Sequence, residues 1–145
     1  MVVRRPEINL AIQALTLQRL VPGSTAQIHR GRLNWFGDVQ PTPDTRSYSL
    51  RLKAAVGQTP SVRVLRPALQ PNEDGWLPHV YDTGDLCLSE YGDWHPRMLF
   101  ADTYVPWAME WLMYYELWLA TGLWYGDGPD NLDDVSQSSI LHRVR

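Results

Sequence analysis

Leu77-Pro78-His79-Val80-Tyr81-Asp82-Thr83-Gly84-Asp85-Leu86-Cys87-Leu88, followed by Asp93-Trp94-His95-Pro96, is the stretch on which the reading of the whole chain turns. It carries the only cysteine. Short apolar pieces, Val80-Tyr81 and Leu86-Cys87-Leu88, flank the turn signal Asp82-Thr83-Gly84. Gly84 can adopt the positive φ that such a turn needs, and Asp82 can brace it with a side-chain hydrogen bond. His79 precedes Cys87 closely enough to invite a thiol-chemistry reading. A lone cysteine in a soluble domain is also commonly a small buried hydrophobe, so the pair alone leaves both readings open.

Working outward, the N-terminal side begins with helical spacing. Pro6-Glu7 opens a first helix whose apolar positions are Ile8, Ala11, Ile12, Leu15 and Leu20-Val21, and Pro22-Gly23 ends it. Residues 25–40 are strand-like, with Ala26, Ile28, Leu33 and Trp35 as inward candidates and Gly31 as a bulge or bend. After the Pro41-Thr42-Pro43-Asp44 loop comes the clearest alternation. Tyr48, Leu50, Leu52 and Ala54 face one way, and Ser47, Ser49, Arg51 and Lys53 the other. Gly57-Gln58-Thr59-Pro60 turns into a strand with Val62, Val64 and Leu65 that stops at Pro67. These segments predict an antiparallel meander of three to four strands, and residues 68–76 read as an irregular loop.

Beyond Pro96 the pattern becomes helical again. Asp102 and Thr103 offer capping oxygens, Pro106 suits a first turn, and Gly122 closes the helix. Trp107, Trp111, Tyr114 and Trp118 form one stripe; Ala108, Leu112, Tyr115 and Leu119 form the next. Two stripes are wider than a surface helix requires. The aliphatic one reads as core. The tryptophans Trp107, Trp111 and Trp118 read either as core or as anchors for a partner protein. Residues 1–128 are expected to form the folded domain, with a turn cluster at Gly126-Asp127-Gly128-Pro129-Asp130 and a C-terminal tail over 129–145.

Composition narrows the function classes. At 145 residues, with 44% apolar and 20% charged, this is one globular domain that needs no staples. A net charge of −3 argues against a general nucleic-acid or membrane binder. One cysteine permits no internal disulfide, and four scattered histidines give no zinc spacing, so no metal and no cofactor are expected. The N-terminus lacks the apolar run of a signal peptide and no stretch reaches membrane-spanning length, which points to the cytoplasm, where a thiol stays reduced. Lys53 is the only lysine among thirteen basic residues. An arginine-favouring genome explains this, as does avoidance of nucleophilic amines by a protein that carries a reactive acyl group.

The order helix, meander, loop with a lone cysteine, helix resembles the ubiquitin-conjugating enzymes. Leu77-Pro78-His79 stands at that family's His-Pro-Asn triplet, Gly84 at its glycine turn, Leu86-Cys87-Leu88 at its nucleophile and Trp94-His95-Pro96 at its Trp-x-Pro. Thr59-Pro60-Ser61-Val62-Arg63-Val64 is similar to the strand that precedes the triplet. The closer likeness, through Trp111 to Leu119 and Thr121-Gly122, is to the compact bacterial branch found in cyclic-oligonucleotide antiphage signalling (CBASS) operons. The resemblance implies an α+β ubiquitin-conjugating (UBC-like) fold: an N-terminal helix, the meander, an active-site loop and a long C-terminal helix. It also implies a cGAS/DncV-like nucleotidyltransferase as partner, its C-terminus serving as acyl donor.

The chemistry of such a site can be stated independently. A thiol of ordinary pKa, about 8.5, is only a few per cent thiolate at neutral pH yet strongly nucleophilic. It can take an acyl group as a thioester and pass it to an amine, and both steps build an oxyanion that needs a hydrogen-bond donor. His79 stands where the family has Asn, so its ring is either that donor or a base for Cys87. Leu77 replaces the family's first His. Asp93 and His95 are candidates to steer an amine, and Trp94 to pack behind the cysteine. Cys87 and His79 are therefore the predicted catalytic pair of a transferase. A non-catalytic adaptor of the same fold and a small cysteine peptidase acting on the same linkage are the alternatives.

Overall fold

A computed structural model of the chain describes residues 7–89 and 92–126. The expected tail over 129–145 and all but the first residue of the Gly126–Asp130 cluster lie outside these. The elements run α1 (Leu10–Leu20), β1 (Thr25–His29), β2 (Arg32–Val39), β3 (Tyr48–Ala55), β4 (Ser61–Arg66) and α2 (Tyr104–Thr121). This is the α+β order expected: a helix, a four-stranded antiparallel meander in the order β1-β2-β3-β4, a long loop and a closing helix.

The first helix starts later than the proline signal implies. Asn9 is the N-cap, and its Oδ1 accepts the Ile12 N–H at 2.9 Å. Its inward face also differs from the expectation. Gln13, Ala14 and Leu17 are buried, with Leu10 and Val21 packed alongside, whereas Ile12 and Leu15 are each 47% exposed. The decisive residue is Gln13, only 1% exposed. Its Nε2 donates to the Met98 carbonyl at 3.0 Å and its Oε1 accepts the Phe100 N–H at 2.8 Å. Both amide ends satisfy backbone groups just before α2, so a polar side chain is stable inside.

The strand-like stretch over 25–40 divides into two strands, β1 and β2. Arg30 and Gly31 both have positive φ, 50° and 72°, as a two-residue hairpin with the right twist requires. Gly31 is thus a turn residue, and the bulge lies instead in the β3–β4 pairing, between Ser49 and Leu50. Ile28 is exposed, while Leu33, Trp35 and Val39 face inward. The alternation of β3 is as read: Tyr48, Leu50, Leu52 and Ala54 are buried. Gly37 lies against the Trp35 ring, where an added Cβ would fall 2.3 Å from Cζ2.

Across the same core α2 buries Val105, Ala108, Leu112 and Tyr115, and Gly122 ends it in the left-handed conformation, its N–H bonded to the Trp118 carbonyl. Trp111 and Trp118 are buried too, and Trp107 is half-buried. The stripe expected as a partner-binding face is therefore mostly interior. Leu119, assigned to the core stripe, is exposed. The buried face of α2 is thus shared between the two stripes. Glu116 fixes α2 to the loop before β3, its Oε2 accepting the Tyr48 hydroxyl at 2.8 Å and the Arg46 N–H at 3.0 Å. Among the described residues no helix is long and apolar enough to cross a membrane.

Candidate active site

The cysteine stretch folds as a tight hairpin laid against the edge of the sheet. Val80 and Leu86 form an antiparallel bridge, the Tyr81 N–H bonds the Asp85 carbonyl, and the Cys87 N–H bonds the His79 carbonyl, both at 2.9 Å. The Leu86 N–H in turn reaches the Val62 carbonyl at 2.8 Å, which joins the hairpin to β4. Gly84 takes φ 93° at the turn, as anticipated. The bracing comes from its neighbours rather than from Asp82. Thr83 Oγ1 donates to Asp85 Oδ2, and Arg63 of β4 bonds both Asp85 and the Thr83 carbonyl. The Arg63–Asp85 pair is partly exposed, so its role is geometric more than energetic.

Period-two alternation then sorts the side chains. Val80 and Leu86 point into the core, while His79, Tyr81 and Cys87 share the opposite side. Cys87 is half-buried and reduced. It lines a cavity of about 20 Å3 with His79, Leu88, Trp107, Trp111, Tyr114 and Trp124, room for one water or a group of that size. The expected pair, Cys87 and His79, is thus brought together.

His79 is the most constrained residue of the site. It is 8% exposed and has φ 51°, a left-handed conformation uncommon for residues other than glycine. That twist aims its carbonyl at two donors, the Cys87 N–H and Trp111 Nε1 at 3.2 Å. Its ring stacks on Trp124, with centroids 5.3 Å apart and planes inclined by 24°.

The supporting candidates are spread more widely. Trp94 packs on Phe100 and Tyr104, at 5.9 and 5.8 Å between ring centres, and behind the loop it lines a second, largely apolar cavity with Ile8, Leu10 and Gln13. His95 is half-buried in a turn where its carbonyl accepts the Met98 N–H, and it does not line the cysteine cavity. Asp93 is exposed, and its charge bears on the Tyr104 phenol. Among the described residues no group of three or more His, Cys, Asp or Glu side chains is placed to hold a metal ion.

Three neighbours of Cys87 and His79 escaped the sequence reading. Tyr81 hydrogen-bonds the Cys87 side chain, and that bond is the first cause, ahead of burial, of a phenol pKa pushed up to about 12. Since only a phenol that keeps its proton is stabilised in this way, Tyr81 is the donor. Tyr104, raised chiefly by burial, also feels the Cys87 sulfur, and its hydroxyl lies 3.0 Å from Ser89 Oγ. Trp124 roofs His79 from beyond the end of α2. For Tyr81 a signal was available: two residues from His79 along a strand, it falls on the same side as Cys87.

Comparison with known proteins adds one finding. The profile of a family described as E2-CBASS, type II CBASS E2 protein, matches residues 13–131. No curated protein matches the chain.

Proposed function

The chain belongs to the type II CBASS E2 protein family, and we propose that within it Cys87 acts as an acyl carrier and transferase. Its substrate is the activated C-terminus of a partner protein, a cGAS/DncV-like nucleotidyltransferase, and its final acceptor is a lysine amine. Because a free carboxylate does not acylate a thiol, the acyl group must arrive as a thioester or an acyl adenylate. In the first step the Cys87 sulfur bonds to the acyl carbon, and the donor thiol or adenylate leaves with the electron pair. In the second the amine attacks, the C–N bond forms, the C–S bond breaks, and the amine proton passes to solvent while sulfur leaves as thiolate.

The observation that carries this reading is the placement of Cys87. Cys87 lines a cavity together with His79, on a hairpin tied to β4 by the backbone hydrogen bond from Leu86 to Val62, and is half-buried rather than sealed among aliphatic side chains. We assign to the His79 ring the role of N–H donor toward charge developing beside the sulfur, and loss of one such donor typically slows acyl transfer by about 100- to 1,000-fold. Stacking on Trp124 holds the ring in place. Burial of Trp111 and Trp118 counts against the adaptor reading, which relied on them as a surface.

The test is a covalent adduct. Protein mixed with its nucleotidyltransferase partner and an activated acyl source should form a dithiothreitol-sensitive adduct on Cys87, and Cys87→Ala should form none. If Cys87→Ala forms every adduct, the reading is wrong.

A further inference from the structure

We propose that Tyr81 is a further catalytic residue, its hydroxyl donating a hydrogen bond to the Cys87 sulfur while that atom attacks and again while it leaves. This rests on the transferase reading above and adds to it a group that stabilises charge on sulfur rather than on the acyl oxygen.

The placement follows from the hairpin. With Val80 paired to Leu86, residue 79 lies opposite 87 and residue 81 is the diagonal neighbour of Cys87 on the same side. Diagonal neighbours are within reach of an aromatic side chain. Tyr81 is 42% exposed, so the ring is no core filler; its hydroxyl nonetheless engages the Cys87 side chain. Its proton is retained through the working pH range, because the phenol is pushed up to about 12. Other titratable groups near the sulfur are His79 on the hairpin, and Tyr104 and Tyr114 on α2. Asp93 acts from the loop through Tyr104. Asp85 is held by Arg63.

The chemistry favours a donor there in both directions. A hydrogen bond to sulfur stabilises the thiolate more than the thiol or the thioester. Each unit by which it lowers the thiol pKa gives about ten times more thiolate, while intrinsic nucleophilicity falls only about threefold at a Brønsted slope near 0.5. Attack at neutral pH therefore gains about threefold. In the transfer step the C–S bond breaks with the electron pair on sulfur, and a lower-pKa thiol leaves faster. The phenol keeps its proton throughout, so no proton needs to be returned.

Tyr81→Phe removes the hydroxyl and leaves the ring, on a partly exposed position that tolerates the change. Two measurements are made on the full chain. The first is the pH dependence of Cys87 alkylation by iodoacetamide, which needs no partner. The second is acyl transfer from a peptide thioester of mercaptoethanesulfonate to Cys87, then from Cys87 to free lysine. The proposal expects the alkylation half-point to rise by about one pH unit in Tyr81→Phe. It also expects loading at neutral pH to slow about threefold and discharge to lysine to slow as well. An unchanged or lowered half-point overturns it, as does a raised half-point with loading and discharge at wild-type rates. Either result leaves the Cys87→Ala adduct test untouched. Conversely, adducts that survive Cys87→Ala would remove the transferase reading whatever the alkylation profile shows.

Discussion

The left-handed backbone at His79 makes a prediction that inverts the usual order of two small residues. Replacing His79 by alanine or by glycine removes the same imidazole and the same contact with Trp124, so the loss of stacking, about 0.5–1.5 kcal/mol, is common to both. What differs is the backbone at φ 51°. An L-residue forced into the left-handed region costs about 1–2 kcal/mol relative to glycine. The greater freedom of glycine in the unfolded chain takes back about 0.4–1 kcal/mol. Glycine should therefore be the more stable variant by about 0.5–1 kcal/mol, although alanine is ordinarily the better residue. With a urea m-value of about 1.5–2 kcal/mol/M, the midpoint of His79→Gly should lie about 0.3–0.6 M above that of His79→Ala. Urea unfolding followed by tryptophan fluorescence resolves that gap, and Trp124 and Trp111 beside the site report on it directly. His79→Asn should fall close to the glycine variant, since asparagine tolerates this region. If His79→Ala matches or exceeds His79→Gly, the twisted backbone, and with it the aim of the His79 carbonyl at Cys87 and Trp111, is refuted.

Two further predictions concern the frame around the site. Gln13→Leu leaves the Met98 carbonyl and the Phe100 N–H without partners in a buried place, and should destabilise the protein by about 2–4 kcal/mol in equilibrium unfolding; a loss below about 1 kcal/mol would show that the amide is not the tie between α1 and the start of α2. Tyr48, Tyr81, Tyr104 and Tyr115 all have phenols raised above the usual value, Tyr81 to about 12. The folded state then holds protons that the unfolded state has released, so stability should be full below pH ~10 and fall as the pH climbs towards ~12. Tyr81→Phe should flatten part of that decline, and a pH-independent stability over this range would contradict the assignment.

How much of this was legible in the sequence depends on the element. The alternation of β3 was unambiguous because Tyr48, Leu50, Leu52 and Ala54 sit in a strand with neighbours on both sides and one wet face. The stop of α2 was equally clear, because only a residue such as Gly122 ends a helix in the left-handed region without strain. The face of α1 was misread for a physical reason. Periodicity counts apolar side chains, and Gln13 enters the core by satisfying backbone groups more than eighty residues away, which no local pattern reveals. The hairpin between β1 and β2 was left open, as a bend or bulge at Gly31, because Arg30 supplies a positive φ where glycine or asparagine is the usual signal. At the site, spacing and turn chemistry drew attention to Cys87 and His79, and the resemblance to the ubiquitin-conjugating enzymes singled them out. Tyr81 and Trp124 were not. The first was signalled only by its two-residue offset from His79, and finding the second required knowing that the chain doubles back past the end of α2.

On the proposed transferase reading, the bond from the Leu86 amide to the Val62 carbonyl has a consequence for how an acyl donor is selected. Through it, the reacting atom moves with the sheet, one residue from a rung of the ladder. Closing such a centre around an incoming tail would mean tearing a strand edge. The burden of fitting therefore passes to the visitor: a flexible terminus must thread itself to a fixed point, and discrimination between donors becomes a matter of which tails are slim and pliant enough to arrive.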